Sequence, residues 1–147
     1  MSVKEENKEN FANAMHNLGM AFKNETENCG KLCGAVNEKE LMVIGFVGQH
    51  KSVKMTDIAD TIFAPLSTLT SIVDKLVERD LINRDHSGED RRVINVSLTA
   101  KGKTAYNKLV EKKNKIAMSV LSQLNEKEQA LITKHLNLLA NELKNPN

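Results

Sequence analysis

Four hydroxyl side chains crowd into five positions, Ser67-Thr68-Leu69-Thr70-Ser71, and two guanidinium groups follow at Asp90-Arg91-Arg92. Short hydroxyl residues on the opening turns of a helix enter a DNA major groove without steric conflict. There they hydrogen-bond base edges or phosphates. An arginine carried on a protruding loop can probe a minor groove, because narrow A·T tracts attract guanidinium groups. Asp90 is close enough in sequence to orient one arginine through a bidentate pair. Taken alone, the hydroxyls have a plainer reading, since serine and threonine also tolerate the first turns of any solvated helix.

These residues need elements to aim them. Ile58, Ala59 and Ile62 fall on one face of a short helical pattern. Leu69, Ile72, Val73, Leu76 and Val77 recur at i, i+3, i+4 and i+7 on a second, as an amphipathic helix requires. With that stripe inward, Ser67, Thr68, Thr70, Ser71, Asp74 and Lys75 point outward. Phe63-Ala64-Pro65 fits the tight corner of a helix-turn-helix, and Pro65 suits a helix start. Leu81-Ile82-Asn83-Arg84 and Val93-Ile94-Asn95-Val96-Ser97-Leu98 are β-leaning runs. Asp85 to Asp90 between them is turn-forming, so the pair reads as a hairpin. Arg91 and Arg92 are expected just past its tip, on opposite faces of the returning strand.

The block from 54 to 102 resembles the winged-helix domain of the multiple antibiotic resistance regulator (MarR) family. The family's D-x-R stands as Asp90-Arg91-Arg92, and its V-x-L-T-x-x-G as Val96-Ser97-Leu98-Thr99-Ala100-Lys101-Gly102. Arg84, Ile58-Ala59, Ser67-Thr68-Leu69-Thr70 and Val73-Asp74-Lys75-Leu76 are also similar. Phe63 replaces a small turn residue, often Gly. Pro65 replaces a Ser or Thr cap, and Val93 replaces a frequent Ser. The resemblance implies a mainly α fold with a small β wing. It also implies a dimer built from the first and last helices, and an effector cavity where those helices meet the winged domain. Met15, His16, Met42 and Phe46 are candidates for such a cavity, although Met and Phe at helical spacing also serve as plain core.

The remaining chain supports one MarR-like domain over 1–147, with dimerisation helices at about 5–34 and 104–144 around a DNA-binding region at about 37–102. Phe11, Met15, Leu18 and Phe22 mark a first helix over about 5–27, ended by Asn28-Cys29-Gly30, with Lys31 to Gly34 a loop or short turn. Asn37 with Glu40 is a capping box for a second helix reaching about His50, and Leu41, Ile44 and Val47 face inward. Beyond Gly102 the helical pattern resumes, and Asn125 with Glu128 opens a last helix. A winged domain of about seventy residues covers only part of the apolar surface on these flanking helices. A second copy of the chain would cover the rest, the alternative being that all these helices pack within one monomer.

At 147 residues, 40% hydrophobic and 27% charged, the chain has the composition of a globular protein with one substantial core. A net charge of +2 means that a nucleic-acid binder must concentrate its positive charge locally. No apolar run approaches the ~20 residues of a membrane span. MSVKEENKEN lacks the apolar segment of a signal peptide, so the expected compartment is the cytoplasm and no membrane partner is expected. Two cysteines make no disulfide framework. Cys29 and Cys33 are four apart and off any standard zinc spacing; they are inert thiols, an oxidation-sensitive pair, or metal ligands.

The expected function is therefore a dimeric, sequence-specific transcriptional regulator, a repressor of promoters with pseudo-palindromic operators. Its half-sites would lie about 34 Å apart. A small-molecule effector or thiol oxidation would relieve it. Ser67, Thr68, Thr70, Ser71 and Lys75 would face the major groove and its backbone. Arg84, His86, Ser87, Asp90, Arg91 and Arg92 would serve the wing, with Arg92 in the minor groove and Arg91 on phosphate or in an internal ion pair. The alternative is a winged-helix module that binds protein or RNA. An enzyme is not expected, for the chain has no nucleophile–base–acid constellation and no glycine-rich phosphate cradle. No cofactor and no structural metal are expected.

Overall fold

The structure, a computed structural model, describes residues 3–144; the ends of the expected 1–147 span lie outside them. The elements run α1 (Glu5–Leu32), α2 (Glu38–Gly48), β1 (Val53–Lys54), α3 (Met55–Thr61), α4 (Leu66–Glu78), β2 (Ile82–His86), β3 (Ile94–Leu98), α5 (Ala100–Leu121) and α6 (Glu126–Lys144). The result is six helices and a three-stranded antiparallel sheet, ordered β1-β3-β2. Residues up to Leu109 form one compact unit and those from Val110 a second.

The first unit holds the core. Val43, Ile44 and Val47 of α2, Ile58 of α3, and Leu69, Val73 and Leu76 of α4 are fully buried. Ile82 of β2 and Val96 of β3 close the core from the sheet side. Each such side chain contributes about 1.5–3 kcal/mol by leaving water. The stripe expected on α4 holds, except that Val77 is exposed. The capping box is present: Asn37 Oδ1 accepts from the Glu40 N–H at 2.9 Å, and a Glu40 carboxylate oxygen accepts from the Asn37 N–H at 3.0 Å. α2 stops at Gly48, two residues before the expected end.

Two expectations fail here for identifiable reasons. α1 does not end at Cys29-Gly30 but continues to Leu32. Gly30 lies within the helix, and it is glycine because a Cβ there would overlap the Val36 carbonyl, which folds back against it. The chain turns only at Gly34 (φ 101°) and Ala35 (φ 57°), where the left-handed conformation stops a helix. Lys51-Ser52-Val53 reads from sequence as a connection into the winged block, but Val53 and Lys54 form a strand in which Val53 pairs with Val96 and Lys54 with Asn95. A two-residue strand lacks the run length that alternation needs to be read.

In the second unit, the caps of α6 are as expected. Asn125 Oδ1 accepts from the N–H groups of Lys127 (3.0 Å) and Glu128 (3.1 Å), and Glu128 reaches back to the Asn125 N–H at 2.9 Å. α6 has no buried residue among those described.

Candidate nucleic-acid interface

α4 begins immediately after Pro65 (φ −57°), whose carbonyl accepts the Leu69 N–H at 3.0 Å. The turn before it runs through Phe63 in the left-handed region (φ 53°), with its ring 74% exposed. On the outward face of α4, Ser67, Ser71 and Lys75 are exposed, and Thr68, Thr70 and Asp74 are half-buried. The Thr70 hydroxyl donates to Leu66 O at 2.8 Å and the Ser71 hydroxyl to Ser67 O at 3.4 Å. Donating inward leaves the oxygen lone pairs outward, ready to accept from an adenine or cytosine amino group.

β2 and β3 form the hairpin in register from Ile82 opposite Leu98 to His86 opposite Ile94. Arg91 and Arg92 are not on the returning strand. Both lie in the turn that precedes β3, and both are exposed. Asp90 does not hold a guanidinium. Its Oδ1 accepts the Arg92 backbone N–H at 2.9 Å, an Asx turn that fixes the loop and leaves side-chain orientation to the backbone. His86 Nδ1–H donates to Arg91 O at 2.8 Å, and Ser87 Oγ accepts from the Glu89 N–H at 3.2 Å. These two residues brace the tip from within.

Arg84 forms an ion pair with Asp74, linking β2 to the middle of α4. Thr70 and Arg92 come together in one cleft of about 330 Å³, also lined by Lys54, Thr56, Leu66 and Ile94. Lys54 and Thr56 were absent from the expected site, and only their place at the start of the helix-turn-helix could have suggested them.

Behind the interface, Glu40 is 5% exposed and meets Arg79 Nη1 at 3.1 Å. Arg79 Nη2 also donates to Gly34 O, so this residue at the end of α4 braces the α1–α2 corner. No pattern in the sequence announced that strut, because its partners lie 39 and 45 residues from Arg79. Thr99 caps α5 by accepting the Gly102 N–H at 2.9 Å and donates to Asp80 O at 2.6 Å. A Cβ on Gly102 would overlap the Leu81 carbonyl. The threonine and glycine of V-x-L-T-x-x-G thus fasten the wing root to α5.

The other candidates are placed as follows. Met15 and Phe46 are half-buried, His16 and Met42 are exposed, and the Phe46 ring meets His50 edge-on at 4.9 Å. A groove of about 500 Å³ opens elsewhere, lined by Lys23, Glu27 and Lys31 of α1 and by Val36, Asn37 and Glu38 leading into α2. Cys29 and Cys33 are both buried, with sulfurs 3.8 Å apart, and the Cys33 thiol also donates to Ala105 O at 3.3 Å. Burial, reinforced by Cys29, pushes the Cys33 thiol up to about 11, against a partial opposing pull from Lys108. Among the described residues no three or more His, Cys, Asp or Glu side chains gather as a metal site, and no helix is long and apolar enough to cross a membrane.

The sequence model of the MarR family matches residues 36–94. Among curated proteins of Bacillus subtilis, the chain is 31% identical over 106 residues to the uncharacterised HTH-type transcriptional regulator YfiV, covering 72% of this chain and 66% of that protein. It is 33% identical over 93 residues to the HTH-type transcriptional repressor MdtR, covering 63% of this chain and 60% of MdtR. The matched stretches thus span somewhat under two thirds of those relatives. The solved Streptococcus pneumoniae FabT in complex with DNA shares the fold with a TM-score of 0.79 at 23% identity, over 91% of this chain and 97% of that one. The family match covers the helix-turn-helix and most of the hairpin, and the signature residues occupy the structural roles just described; residues 36–94 are a MarR-family winged-helix segment.

Proposed function

We propose that the chain is a dimeric, sequence-specific DNA-binding repressor that occupies pseudo-palindromic operators in the cytoplasm and is released by a small-molecule effector. The observation that carries this is the shared cleft of Thr70 and Arg92: the outward face of α4 and the wing tip open on the same space. A helix entering a major groove and an arginine entering the adjacent minor groove act on one duplex when both lie on one face of the domain. MdtR, named a repressor, and FabT, solved with DNA, support the reading.

Dimerisation is supported by apolar side chains that the chain leaves in water. Phe11, Leu18 and Phe22 on α1 and Leu131, Leu136 and Leu143 on α6 are all more than 40% exposed. Exposed apolar surface of this extent marks an interface. A two-fold axis then sets half-sites about one helical turn apart.

Selecting bound duplexes from a random pool tests the proposal. An inverted repeat with half-sites ten to eleven base pairs apart, by the estimate of about 34 Å per turn, is expected, with affinity falling steeply as salt rises. Recovery of no duplex motif, with binding to RNA or protein instead, would overturn it.

A further inference from the structure

We infer that Cys29 and Cys33 form a bidentate site for trivalent arsenicals, and that its occupation loosens the recognition helix; the second half rests on the proposed DNA-binding function. Trivalent arsenic is pyramidal, so two sulfurs about 2.3 Å from it lie roughly 3.3–3.5 Å apart, and these two, 3.8 Å apart, need to close by only a few tenths of an ångström. The pair is held so because Cys29 opens the last turn of α1 and Cys33 caps it, its N–H donating to Cys29 O at 2.9 Å.

The chemistry of the site selects the ligand. Zinc needs four donors, and no third His, Cys, Asp or Glu joins the pair among the described residues. Thiolates, not thiols, attack peroxide, and burial keeps the Cys33 proton in place. An arylarsenic(III) dihydroxide needs neither a further ligand nor a thiolate. Two As–O bonds break, two As–S bonds form, and each thiol proton leaves with a hydroxide as water. Arsenic stays trivalent, no electrons move, and the product is neutral, which suits a low-dielectric site. Access runs through the exposed Gly34-Ala35 corner beside Cys33.

The same corner carries the signal. Cys33 is bonded in the chain to Gly34, whose carbonyl is held by Arg79 at the end of α4. Binding arsenic also removes the proton with which Cys33 holds Ala105 O. The arsenical therefore acts on both neighbours of the corner.

Phenylarsine oxide added to the full chain tests this. Intact mass is expected to show one phenylarsenic per chain, retained against excess 2-mercaptoethanol and released by a dithiol. Cys29→Ala and Cys33→Ala should each lose that retention at least tenfold, with circular dichroism verifying their folds. No retention by the native chain, or equal retention by either variant, overturns the site. On a duplex recovered by selection, loading should weaken binding at least tenfold in the native chain and not in Cys33→Ala. Unchanged affinity on loading overturns the coupling. A chain that binds phenylarsenic yet selects no duplex instead refutes the DNA-binding proposal and leaves the thiol site standing.

Discussion

Asp74 on α4 and Arg84 on β2 form an ion pair that ties the recognition helix to the wing. The side chains are 46% and 37% exposed, so the pair contributes little to stability, about 0–1 kcal/mol. Its value is in alignment. Asp74→Ala and Arg84→Ala should therefore leave the urea midpoint nearly unchanged while weakening operator binding. The two losses should be non-additive by about 0.5–3 kcal/mol in a double-mutant cycle. Additive losses would show that Arg84 acts on DNA independently of Asp74.

Arg92→Ala is expected to weaken operator binding by about 1–3 kcal/mol and relax selection at the base pairs under the wing. Asp90→Ala should mimic part of that loss although it removes a negative charge, because it releases the Arg92 N–H that fixes the loop. A simple electrostatic role would predict tighter binding for Asp90→Ala. Titrating both variants against the selected duplex decides between the two.

Phe63 sits at φ 53° with an exposed ring, so it bears the steric cost of the left-handed region without the benefit of burial. Phe63→Gly should raise unfolding stability by about 0.5–1 kcal/mol, measured by chemical denaturation. A loss of stability would mean that the ring packs more than its exposure indicates.

Cys33 gives the fold an alkaline weakness. Its folded pKa, about 11, lies above the ordinary 9.0, so between those values the unfolded chain releases a proton that the folded chain keeps. Stability must fall as pH rises from about 9 to 11, by about 3 kcal/mol at most. Comparing native and Cys33→Ala urea midpoints at pH 7.5 and 10.5 checks the sign, since the native chain should lose more.

The sequence disclosed what is periodic or local. Leu69, Ile72, Val73 and Leu76 repeat at helical spacing, and Asn37 and Glu40 lie three residues apart, so both α4 and the cap of α2 were readable. The hairpin was readable too, as alternation around a polar turn. What stayed hidden depends on contacts across the chain. Gly30 looked like a helix end, but it is glycine because Val36 approaches from outside the helix. Arg91 and Arg92 looked like strand residues, but the Asp90 Asx turn delays β3 until Ile94. The Glu40–Arg79–Gly34 strut and the Thr70–Arg92 cleft join residues too distant for any local pattern to pair.

The missing side chain at Gly102 has a mechanical consequence. With the α5 backbone seated directly against the Leu81 carbonyl, no soft layer of side chains lies between the root of the hairpin and the first turn of that long helix. Any side chain at this position would have to push the hairpin root and the first turn of the helix apart.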